Sequence, residues 1–155
     1  LRREALLHRV LGEAAAIDSV AIGIEDPWER LRFVVTESIG LDSSRHSEWL
    51  VWLEFWRAAA HDQLLRDFNQ ASAREYAALQ SRTIDYGVDR GTFHPEVSVA
   101  DIASELQFMI DGIGVRLAVA EDQDTAQLGL DLVERRTREL LRVDTTQPSF
   151  VAALH

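Results

Sequence analysis

The sequence predicts an all-α protein, a bundle of about six helices, and two observations support this prediction. Apolar residues recur at spacings of three and four along most of the chain, and residues typical of helix caps and helix ends separate these stretches. The alternation that marks a half-buried strand is missing from the sequence. With 155 residues, 46% of them hydrophobic, the chain can form one domain with a substantial core. We expect this domain over residues 1–142 and a tail over residues 143–155.

Asp26 marks the first clear helix start. An Asp at the N-cap, Pro27 at the first helical position and Glu29 three residues after the cap satisfy the free backbone donors of a first turn. The helix is predicted to run to about Leu41. Its inward-facing residues are predicted to be Leu31, Val34, Val35, Ser38 and Ile39.

Three of the four tryptophans lie in the next predicted helix, which follows a cap region at residues 42–44 and runs to about Ala60. At about 3.6 residues per turn, one side of this helix presents Trp49, Trp52, Leu53 and Trp56. An aromatic stripe at helical spacing is usually core. The alternative is that some of these rings line a cavity for an apolar or cationic small molecule.

A long helix is predicted between Asp62, its N-cap, and a well-marked stop at Gly91. Gly91 suits the left-handed position after a helix, Phe93 can fold back on the last turn, and Pro95 prevents continuation. The inward side of the helix is predicted to be Leu65, Phe68, Ser72, Tyr76, Leu79, Thr83 and Tyr86.

Ser98 and Asp101 are the predicted cap of a further helix that runs to about Ala120 and is apolar on several sides. Gly112 and Gly114 within it each cost up to about 1 kcal/mol relative to alanine, so we expect a helix or a ligand to approach the backbone there. Asp124 and Gln127 are predicted to cap the final helix, which ends near Arg142, with Leu128, Leu132, Val133 and Leu140 buried. In the tail, the residues that can dock on the domain are Phe150, Val151 and Leu154.

Composition excludes several classes of function. The formal net charge is −10, with 26 acidic and 16 basic residues, and such a surface repels the phosphates of nucleic acid. The densest basic group, residues 135–138, is predicted to pair with Glu134 and Glu139 on a solvated helix face. No apolar run approaches the roughly 18 residues of a membrane span, and the N-terminus lacks the layout of a signal peptide. We expect a cytoplasmic protein without membrane contact.

Motifs for catalysis or metal binding are missing from the sequence. The chain has no cysteine, which excludes thiolate catalysis, disulfides and cysteine-based zinc sites. The five histidines form neither a His-x-x-x-His nor a Glu-x-x-His spacing. A Gly-x-Ser-x-Gly elbow and a glycine-rich phosphate loop are also missing. We therefore expect no catalytic residue, metal or cofactor, and binding rather than chemistry.

The order of these motifs resembles the C-terminal regulatory domain of TetR-type transcriptional repressors. The tryptophan helix is most similar to the subgroup that includes bacterial choline and betaine regulators. The matching stretches are residues 3–11 (REALLHRVL), 26–31 (DPWERL), 52–56 (WLEFW), 61–66 (HDQLLR), 87–91 (GVDRG) followed by Phe93 and Pro95, and 111–117 (DGIGVRL).

The resemblance implies an effector-sensing and dimerising domain. An effector bound inside the bundle would alter the spacing of two recognition helices across a homodimer and lower operator affinity. Operator DNA would be bound only through a basic N-terminal helix-turn-helix domain, which these 155 residues do not contain. Two other classes stay open: a helical scaffolding domain without a small ligand, and a helical enzyme acting on a hydrophobic substrate.

The resemblance also places the two binding surfaces. The effector pocket lies between the helices that begin near Pro27, Ser44, Asp62 and Ser98. A carboxylate facing aromatic rings suits a small hydrophobic cation, since ring faces attract positive charge by about 0.5 to 2 kcal/mol. The candidate ligand-binding residues are Phe33, Glu37, Trp52, Trp56, Phe68, Ser72, Tyr76, Gln107, Phe108 and Asp111. The last two helices of each chain are expected to form a four-helix dimer interface that includes Gly112, Gly114, Leu117, Leu128 and Leu132.

Overall fold

A computed structural model describes residues 3–40, 45–120, 123–144 and 146–150. Over these ranges the chain is an all-α bundle without strands, which confirms the predicted fold class. None of the described helices combines the length and the apolar character needed to cross a membrane. The helices are α1 (Arg3–Val10), α2 (Glu13–Ala21), α3 (Pro27–Ile39), α4 (Arg45–Ala59), α5 (Gln63–Asp89), α6 (Val99–Ala120) and α7 (Gln123–Leu141).

Helix α2 is the element that the sequence patterns do not predict. Gly12, with φ of 83°, separates it from α1. The helix has nine residues, too few for a stable isolated helix in water, so packing against the bundle must supply its stability. Its buried residues Ala14, Ile17 and Ala21 pack against a cluster that contains Val34, Tyr76 and Leu79.

The local signals of α3 are confirmed. The Asp26 carboxylate accepts a hydrogen bond of 2.8 Å from the Glu29 backbone N–H, and all five predicted inward-facing residues are buried. The helix ends at Ile39, two residues earlier than predicted, because Gly40 has φ of 70° and leaves the helical conformation. Leu41 and the predicted cap region at residues 42–44 lie outside the described residues.

Helix α5 begins and ends as its sequence predicts. The Asp62 carboxylate accepts from the Leu65 backbone N–H at 3.1 Å, and Gly91 is left-handed with φ of 74°. Phe93 folds back and is buried against Gly87, where a Cβ atom would lie 2.1 Å from the phenyl ring. Gly87 is therefore the position that allows the chain to reverse after α5.

The predicted cap of α6 is confirmed, and that of α7 is wrong. The Ser98 hydroxyl accepts from the Asp101 backbone N–H at 3.1 Å. Helix α7 already begins at Gln123, so Asp124 lies in its first turn and cannot cap it. The Gln127 amide instead donates to the Asp131 carboxylate at 3.3 Å, one turn further along.

The side of α7 that faces the bundle differs partly from the prediction. Val133 is buried as expected, and Leu140 is half-buried. The expected burial of Leu128 and Leu132 is wrong within one chain, since these side chains are 59% and 37% exposed. The residues of α7 that face the core are Gly129, Leu130, Val133, Thr137 and Leu141.

The segment after α7 packs on α3 and α7. Phe150 is fully buried and stacks on the Trp28 indole with ring centroids 5.0 Å apart, and the Trp28 N–H donates to the Pro148 carbonyl at 2.7 Å. The Glu134 carboxylate accepts from the Phe150 backbone N–H at 2.8 Å. The predicted docking of Phe150 is confirmed, while Val151 and Leu154 lie outside the described residues. A domain boundary at residue 142 stays a prediction.

The basic group of α7 pairs with carboxylates, as predicted. Arg136 contacts Glu139 at 3.3 Å on the exposed side of the helix. Arg138 contacts Glu134 at 2.8 Å with both side chains largely buried, so the predicted solvated face is wrong for this pair. Arg136 also contacts Glu105 of α6 at 2.5 Å, which adds an ion pair between the two helices.

Candidate ligand-binding site

A cavity of about 260 Å³ lies between α4, α5 and α6, with single residues from α2 and α3 completing its wall. Aromatic rings dominate one side, and two carboxylates and several neutral polar groups lie among the other lining residues. The lining residues are Glu13, Ser38, Trp49, Trp52, Trp56, Asn69, Ser72, Ala73, Tyr76, Gln107, Phe108, Ile110 and Asp111.

Helix α4 places three indoles in the cavity wall. Trp52 and Trp56 lie one turn apart, with ring centroids 5.8 Å from each other, and Trp49 lies 6.3 Å from Trp56. Tyr76 of α5 faces Trp52 at 6.4 Å. The planes of these ring pairs are inclined at 44° to 69°, so the rings surround a volume instead of stacking as a flat pile.

Each indole is held by its own hydrogen bond. The N–H of Trp49 donates to the Ile39 carbonyl at 2.7 Å and that of Trp56 to the Asn69 side-chain oxygen at 3.0 Å. The Trp52 N–H donates to a Glu13 carboxylate oxygen at 3.2 Å. Because the polar edge of each ring is engaged, the orientation of the aromatic wall is set before any ligand arrives.

Asp111 is a half-buried carboxylate in the opposite wall. It accepts a hydrogen bond of 2.8 Å from the Gln107 amide one turn earlier in α6. Burial raises the pKa of the Asp111 carboxyl, and the hydrogen bond from Gln107 partly offsets this by lowering it. The Gln107 amide oxygen in turn accepts from Gln80 of α5 at 2.8 Å.

Most of the predicted ligand-binding residues lie around this cavity. The structure brings together Trp52, Trp56, Ser72, Tyr76, Gln107, Phe108 and Asp111. Phe33, Glu37 and Phe68 do not line it. Phe33 packs beside α2, which the sequence patterns do not predict, and Phe68 packs in a separate cluster with Phe55 and Leu65. Ligand binding by the seven residues stays a prediction.

Six lining residues are missing from the predicted set: Glu13, Ser38, Trp49, Asn69, Ala73 and Ile110. The helical periodicity places Ser38 and Trp49 on inward faces, but it does not distinguish a core position from a cavity wall. Glu13 carries no such signal, because it belongs to α2. Asn69 precedes Ser72 by three residues, so the face of α5 identifies it once Ser72 is placed.

Gly114 has a role different from the predicted dimer contact. It is buried within the chain, and a Cβ built on it would lie 2.2 Å from ring carbons of Trp49. The close approach predicted at this glycine therefore exists, but the partner is an indole of α4 in the same chain. Its assignment to the dimer interface stays a prediction.

The other predicted interface residues divide into two groups. Leu117 is half-buried and packs against the main core. Gly112 is exposed, with no atom within 4 Å of a Cβ built on it, and Leu128 and Leu132 are also exposed. The closest contact between α6 and α7 at a glycine is at Gly129, where a Cβ would lie 3.0 Å from Ile113.

Among the described residues, no group of three or more His, Asp or Glu side chains is placed to hold a metal ion. The all-α bundle is consistent with the C-terminal domain of a TetR-type regulator. Residues 27–142 match the family model described as BetI-type transcriptional repressor, C-terminal, and the chain belongs to this family. The family is a regulatory one. No curated protein and no solved structure matches the chain.

Proposed function

We propose that this chain senses a small hydrophobic cation in the cavity between α4, α5 and α6, and that it acts as the dimerising regulatory part of a TetR-type repressor. The observation that supports the proposal is that aromatic rings and carboxylates line the same cavity. Trp49, Trp52, Trp56 and Tyr76 line one cavity with Glu13 and Asp111, and none of the described lining residues is Lys, Arg or His.

The chemistry of this wall favours positive charge. The negative face of an aromatic ring attracts a cation by about 0.5 to 2 kcal/mol, more when the site excludes water. A half-buried carboxylate such as Asp111 gains a partner when a cation enters, which offsets the cost of its burial. An anionic ligand would meet two carboxylates in this wall, Glu13 and Asp111, and no basic residue among the described lining residues.

The size of the cavity limits the ligand. A volume of about 260 Å³ lies just below the ~300–1,000 Å³ that is usual for small-molecule pockets. The ligand is therefore small, with an apolar cationic centre that fits among four rings. Ser72 and Asn69 add polar groups that can hydrogen-bond to a substituent of the cation.

Dimerisation is proposed through α6 and α7. On α6, Phe108, Gly112, Val115 and Val119 follow each other at spacings of four, three and four, which places them on one face. Phe108 is 76% exposed and Val119 71% exposed. Leu128 and Leu132 form a similar exposed pair on α7. A second copy that covers both helices would bury this apolar surface in a four-helix interface.

Phe108 links the two proposed surfaces. It lines the cavity and is also the most exposed large hydrophobic residue described. A ligand that displaces the Phe108 ring would change the surface offered to the partner chain. This contact is a direct route by which effector binding alters the geometry of a dimer.

The proposal assigns operator binding to a helix-turn-helix domain N-terminal to these residues and places the protein in the cytoplasm. It includes no catalytic activity. A helical scaffolding domain without a ligand is the second candidate, and the solvent-accessible aromatic cavity counts against it. Turnover of a hydrophobic substrate by the purified chain would favour the third candidate, an enzyme.

Calorimetric titration with a matched pair of probes tests the ligand class. Choline and its uncharged carbon isostere 3,3-dimethylbutan-1-ol have nearly the same shape and differ in charge. We expect the cation to bind at least about tenfold more tightly, which corresponds to about 1.4 kcal/mol. Asp111→Asn should remove most of this preference. Trp56→Ala should weaken the binding of choline more than the binding of the alcohol.

The matched control is Asp67→Asn. Asp67 lies on the exposed side of α5 and accepts from Gln63 at 2.8 Å, the same spacing and distance as in the Gln107–Asp111 pair. This substitution removes a similar charge from an exposed residue that does not line the cavity, and it should leave both affinities unchanged. Equal binding of the two probes, or affinities that Asp111→Asn does not alter, would show that the ligand class is wrong.

A further inference from the structure

Three polar side chains of α5 and α6, two of which line the cavity, form one hydrogen-bond network. The Gln80 amide of α5 donates to the Gln107 amide oxygen of α6 at 2.8 Å, and the Gln107 amide donates to the Asp111 carboxylate at 2.8 Å. Gln80 is fully buried, whereas Gln107 and Asp111 are half-buried and line the cavity. These hydrogen bonds therefore connect the contact between α5 and α6 to the proposed ligand site.

The charge of Asp111 determines which group donates and which accepts in each of these hydrogen bonds. An ionised carboxylate only accepts hydrogen bonds, so Gln107 must present its NH₂ group to Asp111. The Gln107 oxygen then faces Gln80, which must present its own NH₂ group. If Asp111 were protonated and donated its proton to Gln107, both amides would have to rotate for the network to remain bonded.

This arrangement of donors and acceptors leaves one polar atom of Gln80 without a hydrogen bond. With its NH₂ group turned to Gln107, the Gln80 side-chain oxygen is buried and accepts no hydrogen bond. A buried acceptor without a donor is unfavourable. Hydrogen bonds to an ionised group are stronger than those between neutral groups, so two amides that donate in series toward a carboxylate can offset this cost.

We propose that Gln80 and Gln107 are positioning residues that keep Asp111 negatively charged toward the cavity and thereby make the site select cationic ligands. This inference rests on the proposed ligand site. It adds a way for a half-buried carboxylate to stay ionised in a cavity whose described lining residues include no Lys, Arg or His. It also names Gln80, which does not line the cavity, as a determinant of ligand charge.

The other charged group among the described lining residues is Glu13 of α2, whose carboxylate accepts a hydrogen bond from the Trp52 N–H at 3.2 Å. The lining residues of α3, α4 and α5 are uncharged: Ser38, Trp49, Trp52, Trp56, Asn69, Ser72, Ala73 and Tyr76. Among the described lining residues, the direct hydrogen bond to Asp111 comes from Gln107.

The first test measures the Asp111 carboxyl directly, without any ligand. NMR titration of the side-chain carboxyl carbons gives its pKa in the wild type, Gln107→Met and Gln80→Met, since methionine keeps the length of the side chain and removes the amide. We expect Gln107→Met to raise the pKa by about one pH unit and Gln80→Met to raise it by less. Gln63→Met, the control, removes the matching hydrogen bond to Asp67 and should leave the pKa of Asp111 unchanged.

The second test uses choline and 3,3-dimethylbutan-1-ol. Measured at a pH equal to the wild-type pKa of Asp111, the ratio of their affinities should fall about fivefold in Gln107→Met and by less in Gln80→Met, because a larger fraction of Asp111 is then protonated and does not attract a cation. The alcohol affinity should stay unchanged, which separates loss of charge selection from general damage to the cavity. Should Gln107→Met fail to fold, Gln80→Met carries both tests, since it retains the hydrogen bond from Gln107 to Asp111.

The outcomes separate the two proposals. An Asp111 pKa that neither substitution moves overturns the inference, even if the wild type prefers the cation. A raised pKa with an unchanged affinity ratio also overturns it, because the amides would then be structural only. If the wild type binds neither probe while the pKa rises as expected, the proposed ligand class fails, and the effect of the amides on Asp111 stands.

Discussion

Replacing Gly114 by alanine tests whether Trp49 is fixed against α6. A Cβ atom at residue 114 would lie 2.2 Å from three carbons of the Trp49 ring. Carbon atoms in contact are ordinarily about 3.5 to 4.0 Å apart, so the ring would have to move by about 1.3 to 1.8 Å. Trp49 is 6% exposed, and its N–H is bonded to the Ile39 carbonyl at 2.7 Å, so this movement disturbs both the core and the cavity.

The expected loss of folding stability in Gly114→Ala is estimated by comparison with Gly112→Ala. Both substitutions lie inside α6, and both gain up to about 1 kcal/mol of helix propensity. At Gly112 a Cβ meets no atom within 4 Å, so this variant should be more stable than the wild type. Overpacking a core costs about 1 to 3 kcal/mol. We therefore expect Gly114→Ala to be less stable than Gly112→Ala by about 1 to 3 kcal/mol.

Urea unfolding, followed by circular dichroism, measures this difference. Gly112 is also a predicted dimer-interface residue, so each variant is unfolded at two protein concentrations, since only an effect on association depends on concentration. Gly114→Ala should also weaken choline binding, because Trp49 lines the cavity. Equal stabilities for the two alanine variants would refute the reasoning, since Trp49 would then not be held against Gly114.

Three further predictions concern the C-terminal segment, the dimer and Asp111. Phe150→Ala should lower the free energy of unfolding by about 3 kcal/mol, because the ring is fully buried against Trp28; urea unfolding measures this. Leu128→Glu should weaken dimerisation at least about tenfold in sedimentation equilibrium, since a charge would enter an apolar interface. Burial raises the folded-state pKa of Asp111 above its ordinary 3.8, so folding takes up a proton just above pH 3.8 and stability falls as pH rises through that window. Asp111→Asn should therefore gain stability relative to the wild type as the pH rises above 3.8.

Each of the three predictions has a control variant or a result that would contradict it. A loss below about 1 kcal/mol in Phe150→Ala would mean that the segment contributes little to the fold. Leu64→Glu, at a leucine of α5 that is 45% exposed, is the control for association and should leave it unchanged. A stability difference between Asp111→Asn and the wild type that does not vary with pH would contradict the raised pKa.

Local sequence signals determined where α3, α5 and α6 begin and where α5 ends. The carboxylates of Asp26 and Asp62 and the hydroxyl of Ser98 reach backbone N–H groups three residues ahead, so the cap needs no distant part of the chain. The left-handed Gly91 is equally local. The inward face of α3 was predictable because its period is a property of the helix itself. The same periodicity placed Trp52, Trp56 and Tyr76 on the inward faces of their helices.

Tertiary structure decided what each inward-facing residue contacts. Periodicity does not show that Trp49 lies against Gly114, that α2 covers Phe33, or that Gln80 bonds to Gln107, 27 positions away. Such contacts depend on how helices pack, and packing is set by the shapes of many side chains from distant parts of the sequence. A short helix such as α2 has too little local signal to be recognised, because its stability comes from the surface that it covers.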